Sequence, residues 1–182
     1  MSGTVIRHAA LEPRFWPNGK GLTRTVATGG EGAEVSGWQL GIADLGEAAD
    51  FSHFPGCNRI FTLLGGEGAT LTVDDARLPC LPFVPVAFPG DRPTHYRPEG
   101  GAARAFNVVA GRNFEAAVSV LGLLPGHPAR VAGMAVFCAR GALTVGPDRL
   151  GAGDTVLHPG LASIEAAEAG TVAITVGITR RR

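Results

Sequence analysis

Tyrosine is almost missing from this chain, with one residue in 182, and tryptophan and methionine occur only twice each. Cysteine is nearly as scarce: Cys57, Cys80 and Cys138 are odd in number and far apart, with no CxxC and no companion HxxxH. That spacing excludes a disulfide framework and a zinc module, and it reads as three reduced, buried thiols. Charge is also sparse, at 18% of residues, and balanced, with 16 Lys plus Arg against 16 Asp plus Glu. A net charge of zero supplies no bulk attraction to nucleic acid or to an anionic membrane, so neither is expected as a partner. The one basic run, Arg180 to Arg182, is expected to solubilise a frayed end. No apolar stretch reaches the roughly 18 residues a membrane helix needs, and no basic segment followed by an apolar run opens the chain. The expectation is a soluble, cytoplasmic protein without a membrane partner.

What is present is glycine (27 residues), proline (13) and a 45% hydrophobic fraction large enough to close a real core. Both punctuating residues interrupt helical periodicity, and short β-type runs such as "TVIRHA", "WQLGIADL", "RIFTLLGG" and "TVAITVGIT" recur throughout. The fold class is all-β. The segment from Asn113, "NFEAAVSVLGLL", is the one run with helical character, and its Val-Ser-Val centre argues equally for a strand. Two stretches share a single grammar of apolar strand, glycine turn, "ATLTV" or "ALTV", a polar turn at Asp, and an apolar strand ending at Pro-Gly. Repeated hairpins of this kind suit jelly-roll barrels, and "LGAGDTVLHPG" has the turn and strand pattern of cupins. The reading is an internal duplication giving two cupin-like barrels packed as one compact unit. Residues 1–122 form the first barrel, with a ligand pocket, and residues 123–182 a smaller, structural one.

Metal-dependent cupins hold their ion with two or three His and a Glu, the first set spaced HxHxxxxE. The corresponding stretch here is "FSHFPGCNRIFTLLGG", where His53 stands alone and Arg59 takes the carboxylate position. A guanidinium cannot ligate a cation, and His95 is the sole partner available from the second motif, so no metal and no cofactor is expected. His8, His127 and His158 fall in turns or ends, and Cys138, Asp154 and His158 are read as structural. A fixed fork of donors in a partly dry barrel mouth suits a carboxylate, which makes Arg59 a binding candidate. Pairing of Arg59 with Asp91 or Glu67 is the structural alternative, and Asn107 in "AFNVV" could equally satisfy backbone groups.

In order along the chain, "FWPNGKGLTR", "WQLGIADL", "FSHFPGCNRIFTLLGGEG", "PFVPVAFPGD" and "FNVV" resemble the HutD/Ves family, with its W-x-N-x-x-G-x-T-R, F-S-x-F-P-G-x-x-R, L-L-x-G-x-G, G-D and D-F-N-V segments. The resemblance implies a bicupin tied to bacterial histidine utilisation and a role in sensing a pathway metabolite and moderating the pathway. It implies no established catalytic activity. Carried over residue by residue, it makes Trp16 a stacking floor, Asn18 an amide for a carbonyl or formyl oxygen, Thr23 a hydroxyl and Arg24 a second cation. Ser52, Phe54, Arg59 and Asn107 complete the expected ligand-binding set. Gln39 and Ala105 depart from the family pattern, standing where an arginine and an aspartate are frequent. The expected ligand is a small carboxylate such as formylglutamate, formylaspartate or urocanate. The alternatives are a metal-independent hydrolase or isomerase using His53 as general base near Ser52, and an interaction module forming a homodimer. Against the enzyme stands strand geometry, because adjacent residues point to opposite faces.

Overall fold

The structure, a computed structural model, describes residues 3–16, 19–30 and 37–182. Strands dominate, and among the described residues the one helical element is a single 3-10 turn, His8–Ala10. The chain divides into two compact units, residues 1–11 with 115–180 and residues 12–114 with 181–182. Strand β1 (Thr4–Ile6) belongs to the first of these, while β2 (Pro13–Phe15) opens the other.

In the unit built from residues 12–114, β2 is followed by β3 (Gly21–Gly29), β4 (Trp38–Leu45), β5 (Ala49–Asp50), β6 (Cys57–Leu63), β7 (Ala69–Val73), β8 (Ala76–Cys80), β9 (Val86–Pro89), β10 (Thr94–Pro98) and β11 (Ala103–Gly111). They form a six-stranded sheet in the order β2-β3-β4-β11-β6-β9 and a four-stranded sheet in the order β5-β10-β7-β8. Every described pairing within them is antiparallel. The inward residues of both sheets share one apolar cluster: Leu45, Phe61, Leu63 and Ala105 from the larger sheet meet Ala69, Leu71, Cys80 and Tyr96 from the smaller. Such alternation along each strand is what turns two half-apolar sheets into a jelly-roll core. The lone tyrosine is wholly buried here, its ring stacked 5.9 Å from that of Phe51. Each fully buried Phe or Leu side chain contributes about 1.5–3 kcal/mol.

The other unit holds β12 (Phe114–Gly122), β13 (Ala129–Arg140), β14 (Ala142–Val145), β15 (Asp148–Gly151), β16 (Thr155–Ala166) and β17 (Val172–Arg180), ordered β12-β17-β13-β16-β14-β15. Its core is aliphatic, centred on Val136, Leu143, Leu150, Val156 and Ile164. The segment with helical character is therefore strand β12, with near-alternating burial. Long β16 has β13 on one flank; on the other, β14 meets its C-terminal half and β1 pairs Thr4–Ile6 with Leu157–Thr155. Residues 1–11 and 115–122 thus group with residues 123–180, whereas the expectation from sequence was a first barrel of residues 1–122. The repeated grammar corresponds to a repeated structure, since β7–β8 and β14–β15 are both hairpins closed by two residues, Asp74-Asp75 and Gly146-Pro147. Asp74 (φ 49°) and Gly146 (φ 57°) both adopt the left-handed conformation that tight hairpin turns require.

Candidate functional site

A cavity of about 250 Å³ opens on the inner face of the six-stranded sheet. Cross-strand register explains its lining. Thr25, Gly41, Asn107 and Phe61 stand in one row across β3, β4, β11 and β6. Arg14, Thr23, Ala43, Ala105 and Leu63 form the next row, and Gln39, Val109, Arg59 and Phe88 the row on the other side. These positions are separated by two along each strand, so all face the same way. Gly41 and Ala43 are small, and the space they leave is the floor of the cavity.

The opposite wall comes from two loops. In the segment after β5, Phe54 accepts a hydrogen bond on its carbonyl from the Cys57 amide (3.1 Å) around Pro55 and Gly56, whose φ of 71° is that of the third residue of a type II turn. The motif "FPGC" is thus a turn that presents Phe51, Ser52 and Phe54 to the cavity. The segment after β2 is closed by the Trp16 amide donating to the Gly21 carbonyl and the Gly19 amide donating to the Trp16 carbonyl, both at 2.9 Å. The Trp16 ring meets Phe51 edge to face (5.7 Å, 87°), and its Nε1 donates to Thr23 Oγ1 at 2.8 Å.

Arg59 is the centre of the site. It is 7% exposed, and its guanidinium carbon lies 4.6 Å from the Phe51 ring centroid and 5.3 Å from those of Phe54 and Phe88. Its Nη2 donates to Asn107 Oδ1 at 3.1 Å, while Nε is buried with no partner. Among the described residues Arg59 makes no ion pair: Asp91 is bound to Arg112 at 2.6 Å, and no carboxylate lines the cavity. Burial lowers its pKa from the ordinary arginine value to about 10. The three rings offset part of that desolvation by cation–π attraction.

Of the residues anticipated from sequence, Trp16, Thr23, Ser52, Phe54, Arg59 and Asn107 all line this cavity. Asn18 lies outside the described residues. Arg24 is not in the lining: between Thr23 and Thr25 on β3 it faces the outer side of the sheet, where it and Arg104 (2.8 Å) grip Asp44. Burial alone would raise the Asp44 pKa, but the hydrogen bonds from Arg104 and Arg24 outweigh it and the net shift is downward. The cavity's second cation is Arg14, which pairs with Thr23 in the row next to that of Arg24. Thr25, Gln39, Gly41 and Phe51 were likewise missed, although alternation from Thr23 to Thr25 was available as a signal. His53 is exposed and absent from the lining, and His95 binds Asp50 at 2.7 Å. Gly90 is a further contributor, because a Cβ there would stand 3.2 Å from Arg59 Cγ and from the Cys57 carbonyl oxygen.

The donors facing the cavity are guanidinium, amide and hydroxyl groups, with no imidazole, carboxylate or thiolate among the described lining residues. Such a set does not suit the metal ion that cupin barrels often carry. It suits an anion.

Comparison with known proteins places this geometry among relatives. The chain is 41% identical over 112 residues to an uncharacterized 21.2 kDa protein in the hutC 3′ region of Pseudomonas putida; the match covers 60% of this chain and 59% of that relative. Among solved structures it is similar to HutD from Pseudomonas fluorescens (Formate condition), with 29% identity, a TM-score of 0.81 and coverage of 98% and 99% of the two chains. A conserved protein of unknown function from Pseudomonas aeruginosa is similar at 27% identity and a TM-score of 0.81, over 96% and 97% of the two chains. YlbA from Escherichia coli (9% identity, TM-score 0.74, 98% and 91%) shares the fold alone, which is the all-β bicupin. The HutD family model matches residues 8–175, spanning both units, and the chain belongs to the HutD family.

Proposed function

We propose that this protein is a receptor for a small carboxylate metabolite of histidine utilisation, a formylated amino acid or urocanate, and that it moderates the pathway by sensing that metabolite. The observation that carries the reading is Arg59, a buried guanidinium packed on three aromatic rings with its Nε unpartnered and no carboxylate beside it in the described cavity. An uncompensated buried charge is costly, and a ligand carboxylate offsets that cost with charge-assisted hydrogen bonds. The cavity, about 250 Å³, falls just below the roughly 300–1,000 Å³ of ligand sites in general, a size that favours a small metabolite over a nucleotide. The setting comes from the relatives, one lying in a hutC 3′ region and another being a HutD described in a formate condition, formate being the smallest carboxylate.

The enzyme alternative needs a proton-transfer group at the site. Among the described lining residues no side chain titrates near neutral pH, and Ser52 has no base beside it because His53 faces elsewhere. The test is isothermal calorimetry with formylglutamate, formylaspartate and urocanate on the folded protein. Saturable heat for at least one supports the reading, and no heat at millimolar concentration for all three overturns it.

A further inference from the structure

We infer that the cavity discriminates by the absence of a counter-charge for ammonium: it takes a small carboxylate that carries no free amine, and it rejects the corresponding α-amino acid. This rests on the receptor reading above and specifies its ligand class. The cavity wall carries two cations, Arg59 in its depth and Arg14 in the row of Thr23, and no Asp or Glu among the described lining residues. The nearby carboxylates are engaged elsewhere: Asp44 with Arg24 and Arg104 on the outer face, Asp91 with Arg112, and Asp50 with His95.

Three of the neutral acceptors on the wall are engaged as well, and the Gln39 Oε1 and Ser52 Oγ oxygens are the uncharged acceptors outside that set. Thr23 Oγ1 receives the Trp16 indole N–H (2.8 Å), Asn107 Oδ1 receives Arg59 (3.1 Å) and Thr25 Oγ1 receives the Gln39 amide (3.4 Å). Each group that accepts in this way keeps its own proton to give, so Thr23, Thr25 and the Asn107 amide present donors to a ligand. A carboxylate or a carbonyl meets several donors there. An ammonium, with three donors and no lone pair, meets like charge and no carboxylate among the described lining residues, and uncharged oxygens such as those of Gln39 and Ser52 do not neutralise it. Rejection by unpaired buried polar groups is the strong form of discrimination, because each costs the full desolvation of that group.

The test compares three ligands on one four-carbon dicarboxylate skeleton, succinate, aspartate and formylaspartate, by calorimetry at neutral pH with formylglutamate and urocanate run in parallel. Succinate and formylaspartate are expected to bind at least roughly thirtyfold more tightly than aspartate. The variant Gln39→Glu, which places a carboxylate on the wall with little change of shape, is expected to narrow that ratio about tenfold or more by favouring aspartate. Aspartate binding within about threefold of succinate overturns the inference while leaving the receptor reading intact. A ratio unmoved in folded Gln39→Glu overturns the counter-charge argument likewise. Silence from all five ligands overturns the receptor reading itself and this inference with it.

Discussion

Arg59 is a buried guanidinium with no ion pair among the described residues, and burial lowers its pKa to about 10 by disfavouring the charged form. Arg59→Met keeps an apolar stem against Phe51, Phe54 and Phe88 and deletes the charge. The variant is expected to melt no lower than the parent without ligand, and to bind formylglutamate or its analogues one to two orders of magnitude more weakly. Thermal melts with and without ligand read both. The sign with pH follows from linkage: above about pH 10 the folded arginine releases its proton before the unfolded one does. The parent's charge penalty is therefore complete at neutral pH and shrinks as pH climbs above about 10 toward the ordinary arginine range, so the gap to Arg59→Met narrows in alkaline denaturant titrations. Asp44 behaves oppositely. Its pKa sits below 3.8, so its contribution is present above that value and disappears as pH falls through the lower, folded one. With about a third of its side chain exposed, Asp44→Asn is expected to cost about 1 kcal/mol at pH 7, less in acid, and to leave ligand affinity unchanged.

At the level of elements, one rule separates Arg24 from Arg14. Strand β3 alternates, so Thr23 and Thr25 face the cavity and Arg24 cannot, whereas β2 pairs Arg14 with Thr23 and turns it inward. The loops are held by turn chemistry at Pro55-Gly56 and by close approach at Gly90, whose amide donates to the Cys57 carbonyl at 2.8 Å and whose carbonyl accepts from Phe54 at 2.8 Å. Gly90 is thus a spacer between Phe54 and Arg59. Gly90→Ala brings a methyl within 3.2 Å of Arg59 Cγ and 3.3 Å of Phe54 Cβ. The expected cost is about 1–2 kcal/mol of stability together with weaker ligand binding, because the displaced atoms belong to the site. An exposed glycine such as Gly101, with nothing near its absent Cβ, gives the control: Gly101→Ala is expected to move neither quantity.

Across the whole molecule, the pocket and the chain's beginning are held by different cores. Residues 12–114 build the cavity, while Thr4–Ile6 complete the flank of β16 in the other unit. Asp154 secures that arrangement: largely buried, it accepts from Arg7 (2.7 Å), the His8 amide (2.9 Å) and the Gly151 amide (3.1 Å). Asp154→Ala leaves those donors unsatisfied, and a loss of about 1–3 kcal/mol is expected. Hydrogen exchange should show it as lost protection along β1 and Thr155–Leu157; unchanged exchange there would contradict the assignment. Cys80 and Cys138 belong to the two cores, where burial lifts their pKa to about 11, and burial also raises that of Cys57; all three are in the state of inert packing thiols.

The order and spacing of residues were sufficient for the strand class, the duplicated hairpins and several of the side chains that line the candidate cavity. Gly, Pro and period-two alternation are local, and the paired motifs around Trp16 and Phe54 mark loops whose turn geometry is written in their own residues. The outward turn of Arg24, the inward turn of Arg14 and the placement of residues 1–11 on β16 were decided by the tertiary structure. Each depends on which strand pairs with which and in what register, and register is a relation between distant segments that no local pattern contains. The same holds for Arg59. Its sequence position marked it as no metal ligand, but that it lies among three rings, with Asp91 already taken by Arg112, follows only from the closed sheet, because a charge is costly or cheap according to what surrounds it.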